Sequence, residues 1–208
     1  MRRKSVKITT PTGLAVWPRL NEPDNKFDKA NPIYHLKLRL SREEAEGVVK
    51  TITQVHKDNL EDIMKDTGKK TVKEAPFPVK DVEDQDGNPT GEVEINFKLK
   101  SIGVNGGDRW EQRPKLFDSK GQPVTEIIGG GSKVKVGAEI IPYFVASIGA
   151  GISLRLKAVQ VIELVEKSGS DSFDTWEFNE EKGFVSSGEE KETVTAEVEA
   201  TNEDGFDF

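Results

Sequence analysis

The chain has 208 residues and no cysteine, which excludes disulfides, zinc ribbons and thiol nucleophiles together. Its net charge of −7 is segregated: residues 168–208 carry −11 (13 acidic, two basic) and residues 1–167 carry +4 (28 basic, 24 acidic). No run approaches the ~18 apolar residues of a membrane span or resembles a signal-peptide apolar region, so one soluble intracellular domain with an appendage is expected.

Period-two alternation dominates from the start of the chain. Val6 and Ile8, then Leu14, Val16 and Leu20, share a phase across a Pro-Thr-Gly break and are expected to point inward. Ile33 to Leu40 puts Tyr34, Leu36, Leu38 and Leu40 on one face. A helix follows over about residues 41–66. Ser41-Arg-Glu-Glu44 is a capping-box signature, apolar residues recur at Ala45, Val48, Val49, Ile52, Val55, Leu60, Ile63 and Met64, and Gly68 is a stop.

Residues 67–91 are polar and proline-bearing and read as a long loop. Strand patterns resume with Val93, Ile95, Phe97 and Leu99, then Val134, Val136, Ala138 and Ile140, then Ile152, Leu154, Leu156 and Ala158. Phe97, Phe144 and Tyr34 share phase with aliphatic residues and are assigned to the core. Turn signals separate the strands at Asp86-Gly-Asn-Pro89, Asp118-Ser-Lys-Gly121, Gly129-Gly-Gly131 and Gly149-Ala-Gly151. The expectation is a mainly β protein: a small, curved five-stranded barrel with one amphipathic helix, a sandwich being the alternative.

The chain closes on an acidic stretch, residues 168–208, expected to be largely disordered. Phe173-Asp-Thr-Trp-Glu-Phe178 interrupts its start and is expected to dock on the body. Its last residues, Thr201-Asn-Glu-Asp-Gly-Phe-Asp-Phe208, pair carboxylates with two phenylalanines, which a merely solubilising tail has no need of. Glu203, Asp204, Phe206, Asp207 and Phe208 are candidate partner contacts. A basic body tethered to an acidic tail can bind that tail, which would then compete with a polyanion.

The other phase of each strand carries the cations. His35, Lys37 and Arg39 stand opposite the leucines of the second strand pattern, and Asn96, Lys98 and Lys100 opposite Ile95, Phe97 and Leu99. Lys133, Lys135 and Tyr143 share a phase; so do Arg155 and Lys157; Trp17 and Arg19 lie in the phase opposite Val16 and Leu20. If these strands adjoin, the polar sides merge into one basic surface with a tryptophan and a tyrosine, the composition of a single-strand binding groove. Lysines also line the solvent face of ordinary antiparallel sheets. Arg109 and Trp110 sit in a polar, glycine-bearing loop over Val104–Arg113, where the indole is either a plug on the core or a contact residue.

Catalysis finds little support. The two histidines, His35 and His56, form no triad or metal-ligand spacing, and no cofactor or metal motif is complete. Asp81, Glu83, Asp84 and Asp86 faintly resemble a calcium loop, but aligning Gly87 to its sixth position puts Val82 and Val93 where acidic ligands belong. Two rivals stay open on these residues: a metal-dependent nucleic-acid enzyme using that cluster, and a structural or assembly protein whose β-domain binds another protein.

Gly151-Ile-Ser-Leu-Arg-Leu-Lys-Ala-Val-Gln-Val-Ile-Glu-Leu164, preceded by Ile141-Pro-Tyr-Phe144, resembles the last barrel strands of bacteriophage single-stranded DNA-binding proteins. Ala15-Val-Trp-Pro-Arg-Leu-Asn-Glu-Pro23, followed by Ile33-Tyr-His-Leu-Lys-Leu38, is similar to their first two strands, and the acidic end terminating in Phe208 to their tail. The helix falls after the second strand, where the common OB order has it after the third. The resemblance implies an OB-fold body, residues 1–167, that coats single-stranded DNA in phage replication and recombination, in the cytoplasm of the infected host. It implies no enzymatic activity, often a homodimer, and a tail that competes with DNA and contacts replication proteins such as polymerase and helicase. By position it implies Trp17, Lys37, Lys98, Lys100, Lys133, Lys135, Tyr143, Arg155 and Lys157 as groove residues and Phe208 as the tail anchor. Arg19, Arg39, Arg109 and Trp110 join them from the reading of the residues themselves.

Overall fold

The computed structural model describes residues 5–26 and 28–165. The acidic stretch 168–208, its five candidate contacts, the Phe173–Phe178 docking expectation and the boundary at 167 lie outside the described residues.

Five strands close a ring. β2 (Gly13–Asp24) pairs with β3 (Ile33–Ser41), β3 with β5 (Pro89–Lys100), β5 in parallel with β10 (Gly149–Glu163), β10 with β9 (Lys133–Val145), and β9 with β2 again. This is the five-stranded barrel expected, with extra strands laid on it. β1 (Val6–Thr9) extends β9, β4 (Val79–Glu83) extends β5, and β8 (Lys115–Phe117) runs parallel to β10. β6 (Ile102–Asn105) and β7 (Asp108–Glu111) form a separate hairpin.

Alternation explains the interior. Tyr34, Leu36, Leu38 and Leu40 of β3, Val93, Ile95, Phe97 and Leu99 of β5, and Val134, Val136, Ala138 and Ile140 of β9 are all buried in one cluster. Each fully buried Leu, Ile or Phe contributes roughly 1.5–3 kcal/mol.

The helix α1 runs Arg42–Thr67, one residue displaced from expectation. Glu44 N donates to Ser41 Oγ at 3.3 Å, the N-cap bond the signature calls for, while the Glu44 carboxylate accepts from the Ser41 hydroxyl (2.6 Å) rather than from its amide; Gly68, at φ 65, ends the helix. Ala45, Val48 and Ile52 join the barrel core. Further along, the buried Asn59 donates to the carbonyls of Tyr143 (3.1 Å) and Gly151 (2.9 Å), tying the helix across the β9–β10 ladder.

Four expectations are corrected. Residues 67–91 are no single loop: they contain β4 and the start of β5, joined by a turn that the Asp84 carboxylate folds by accepting the amides of Asp86 (2.9 Å) and Asn88 (2.8 Å). Leu14 is 40% exposed and Ala15 is buried, because β2 bulges at Trp17 and changes phase before Leu20. A second irregularity after Leu156 turns Val159 and Val161 inward in place of Ala158. Phe144, assigned to the core, is exposed near the tip of the β9–β10 hairpin.

Candidate nucleic-acid interface

Directly paired residues of neighbouring strands put their side chains on one face, so the register shows which polar residues meet. One row runs Arg19 (β2), His35 (β3), Lys98 (β5), Arg155 (β10), Glu139 (β9) and Lys7 (β1), each the partner of the next. Four successive strands thus present Arg, His, Lys and Arg across the outside of the barrel. Lys100 and Lys157, both exposed, continue the polar phases of β5 and β10 beyond it. Asp24 approaches His35 Nε2 at 3.5 Å. The amide of Lys26 (2.9 Å), and after it the histidine, hold the Asp24 carboxyl below its ordinary range.

A second row has a different electrostatic character. It runs Glu94 (β5), Arg39 (β3), Leu14 (β2), Lys133 (β9) and Glu163 (β10). Arg39 Nη2 donates to Glu94 Oε1 at 2.7 Å, Lys37 Nζ lies 3.1 Å from Glu94 Oε2, and Lys133 Nζ lies 2.8 Å from Glu163 Oε2. Lys37, Arg39 and Lys133 are therefore paired with carboxylates, which corrects their reading as members of one uniformly basic surface. Glu94 shares the outward phase of Lys98 and Lys100, and the alternation of β5 contained that signal. Burial raises the Glu94 carboxyl, but the hydrogen bonds and charges of Arg39 and Lys37 outweigh it and hold the group below its ordinary value.

Trp17 stands beside the first row. Between the pairs Val16–Lys37 and Arg19–His35, β2 spends one more residue than β3, and the excess is a bulge. Trp17 is the one non-glycine with positive φ among the described residues, at φ 50, and the bulge leaves its indole 77% exposed. Bulky residues rarely adopt that region.

The remaining candidates are dispersed. Lys135 is half-buried opposite Gln160. The Tyr143 ring packs over Gly151 at the far end of the β9–β10 ladder, beside Ala75. Arg109 and Trp110 are on β7, not in a loop, and neighbouring strand positions point them to opposite faces. His35, expected on the polar face but not among the groove residues, and Lys7, which the sequence does not single out, complete the first row. Of the acidic cluster, Asp81 pairs with Arg42 and Asp84 holds the turn, and among the described residues no group of three or more His, Asp or Glu could hold a metal ion.

The family model described as the single-stranded DNA-binding protein of bacteriophage T7 matches residues 15–164, well over half of the chain. The single-stranded DNA-binding protein of Escherichia phage T7 is 38% identical over 93 residues (43% of this chain), and that of Enterobacteria phage T3 is 36% identical over 102 residues (45% of this chain). Those alignments span only 39% and 44% of the two relatives' own lengths. Among solved structures, the T7-encoded single-stranded DNA-binding protein gp2.5 superposes with a TM-score of 0.67 at 24% identity, covering 88% of this chain and 100% of that one. The single-stranded DNA-binding protein of bacteriophage Enc34 in complex with ssDNA superposes at 0.56 and 19%, covering 78% and 89%. At these identities the two structures speak to the fold alone.

Proposed function

Because the chain belongs to the single-stranded DNA-binding protein family of bacteriophage T7, we propose that it binds single-stranded DNA across the outer face of its barrel, without regard to sequence. The observation that carries this reading is the row Arg19–His35–Lys98–Arg155, a run of basic side chains across four adjoining strands. Phosphates follow the cations, and the exposed Trp17 indole offers a base its face. Neither contact reads base identity, and the role is to coat DNA rather than to catalyse.

The same proposal extends to the setting. The protein acts in phage DNA replication and recombination in the cytoplasm of the infected host, as a homodimer. Its acidic tail competes with DNA for the cationic row and recruits replication proteins such as polymerase and helicase through Glu203, Asp204, Phe206, Asp207 and Phe208. The charge split between residues 1–167 and 168–208 supports the competition.

A salt titration of labelled oligo-dT tests the reading. Affinity is expected to fall with a log–log slope of roughly −0.7 per phosphate neutralised. Lys98→Ala should flatten the slope by about 0.7, whereas Lys37→Ala should change it less, because that lysine is already paired with Glu94. Absence of salt-dependent binding at low salt would favour a phage structural protein instead.

A further inference from the structure

A second aromatic face stands off the barrel. Among the described residues β6 and β7 pair only with each other, and Gly106 and Gly107, at φ 60 and 100, make the two-residue turn between them. The register sets Gly103 against Trp110, Val104 against Arg109 and Asn105 against Asp108. A Cβ on Gly103 would collide with Trp110 Cε2 and lie 2.6 Å from Nε1, so the indole rests on the Gly103 main chain. It is nevertheless 47% exposed, on a strand whose four residues are all exposed. One side is seated on the hairpin and the rest is open to solvent. A plug on the core would have neither property.

The root of this hairpin is anchored to the end of β5. Gln112 donates from its amide to Ser101 O (2.8 Å) and from Nε2 to Lys100 O (2.9 Å), and Ser101 N donates to Pro32 O (2.9 Å). Lys100 is the exposed cation that follows Lys98 along the strand. The hairpin therefore starts where the β5 arm of the cationic row stops.

We infer that this hairpin is a finger whose Trp110 stacks one unpaired nucleobase of a strand already held on the barrel, extending the footprint past Lys100. The inference rests on the single-stranded DNA reading. Arg109 and Val104 project from the other face of the ribbon, so Arg109 does not serve that nucleotide. Asp108 and Asn105 share the Trp110 face toward the turn. The Asp108 carboxylate repels phosphate there and directs the backbone of the strand toward the root, where Lys100 lies against Gln112 and Glu111 is turned to the Arg109 face.

The test compares oligo-dT of about four and about sixteen nucleotides, the span of site sizes for a single OB fold, on the full-length chain. Trp110→Ala is expected to weaken the longer oligonucleotide about tenfold and to leave the shorter one within about twofold. Gly103→Val keeps the tryptophan but displaces it from its seat, and should weaken the longer oligonucleotide in the same way; Trp110→Phe should retain most of the affinity. An unchanged affinity of Trp110→Ala for the longer oligonucleotide would overturn the finger. Equal losses at both lengths would overturn it too, by placing Trp110 within the barrel site or its folding. A wild-type chain that bound neither length would defeat the DNA reading itself, and the finger with it.

Discussion

Trp17 combines two features that folding disfavours, a left-handed backbone at φ 50 and an indole 77% in water. Strain of that kind costs of order 1–3 kcal/mol, and the side chain buries too little to offset it. Both features make sense if the bulge exists to present the ring beside Arg19 and His35. Glycine accepts φ 50 freely, so Trp17→Gly is expected to melt at the same temperature or a few degrees higher while binding oligo-dT about tenfold more weakly. A lower melting temperature with unchanged DNA affinity would show that the indole serves the fold. Trp17 was legible as an outward residue, but by a count that took Val16 and Leu20 as one phase. The bulge lies between those two positions, so the phase changes within the strand while the indole still ends up outside.

At the scale of elements, alternation was read correctly where ladders are regular. β3 and β5 pair without a slip from Ile33–Lys100 to Ser41–Glu92, and every inward residue assigned to them is buried. β2 and β10 contain irregularities, and there the count failed at Leu14 and Ala158. β4 was missed because Val79-Lys-Asp-Val-Glu83 carries charge in both phases. β6 and β7 were missed because their four-residue runs gain strand geometry only by closing on each other. Asn59 lies outside the apolar pattern of the helix, yet it is buried and its amide satisfies two strand carbonyls.

The β3–β5 ladder also yields a prediction. Glu94 sits opposite Arg39 and shares its single charge between Arg39 and Lys37, so Glu94→Gln raises the net positive charge of this patch by one. Oligo-dT binding is expected to tighten, with a salt slope steeper by about 0.7. Its folded pKa is depressed from an ordinary 4.5, so the stability from the paired carboxylate is present above that value and is lost as pH falls through the depressed one. Denaturant melts should therefore separate wild type from Glu94→Gln at neutral pH and converge in acid. A variant with wild-type salt dependence would mean that phosphate never reaches Lys37 and Arg39.

For the whole molecule, the segregated charge is the dominant fact: +4 over residues 1–167 against −11 over 168–208. Removing the acidic stretch is expected to tighten oligo-dT binding, most at low salt where the Debye length is long. Phe208→Ala should leave DNA affinity intact, because it removes no charge. Unchanged affinity of the truncated chain at low salt would exclude competition by the tail.

The amino-acid sequence by itself determined the helix with its two caps, the inward residues of the regular strands, the charge split and the family resemblance. All of these depend on a residue and its near neighbours along the chain. The tertiary structure alone decided which cations adjoin. Lys98 lies between His35 and Arg155, while Lys37 and Arg39 are closed by Glu94 and Lys133 by Glu163. Charge pairing acts over a few ångströms between residues distant in the chain, and ladder register sets those distances; the local pattern of polar residues carries no record of register.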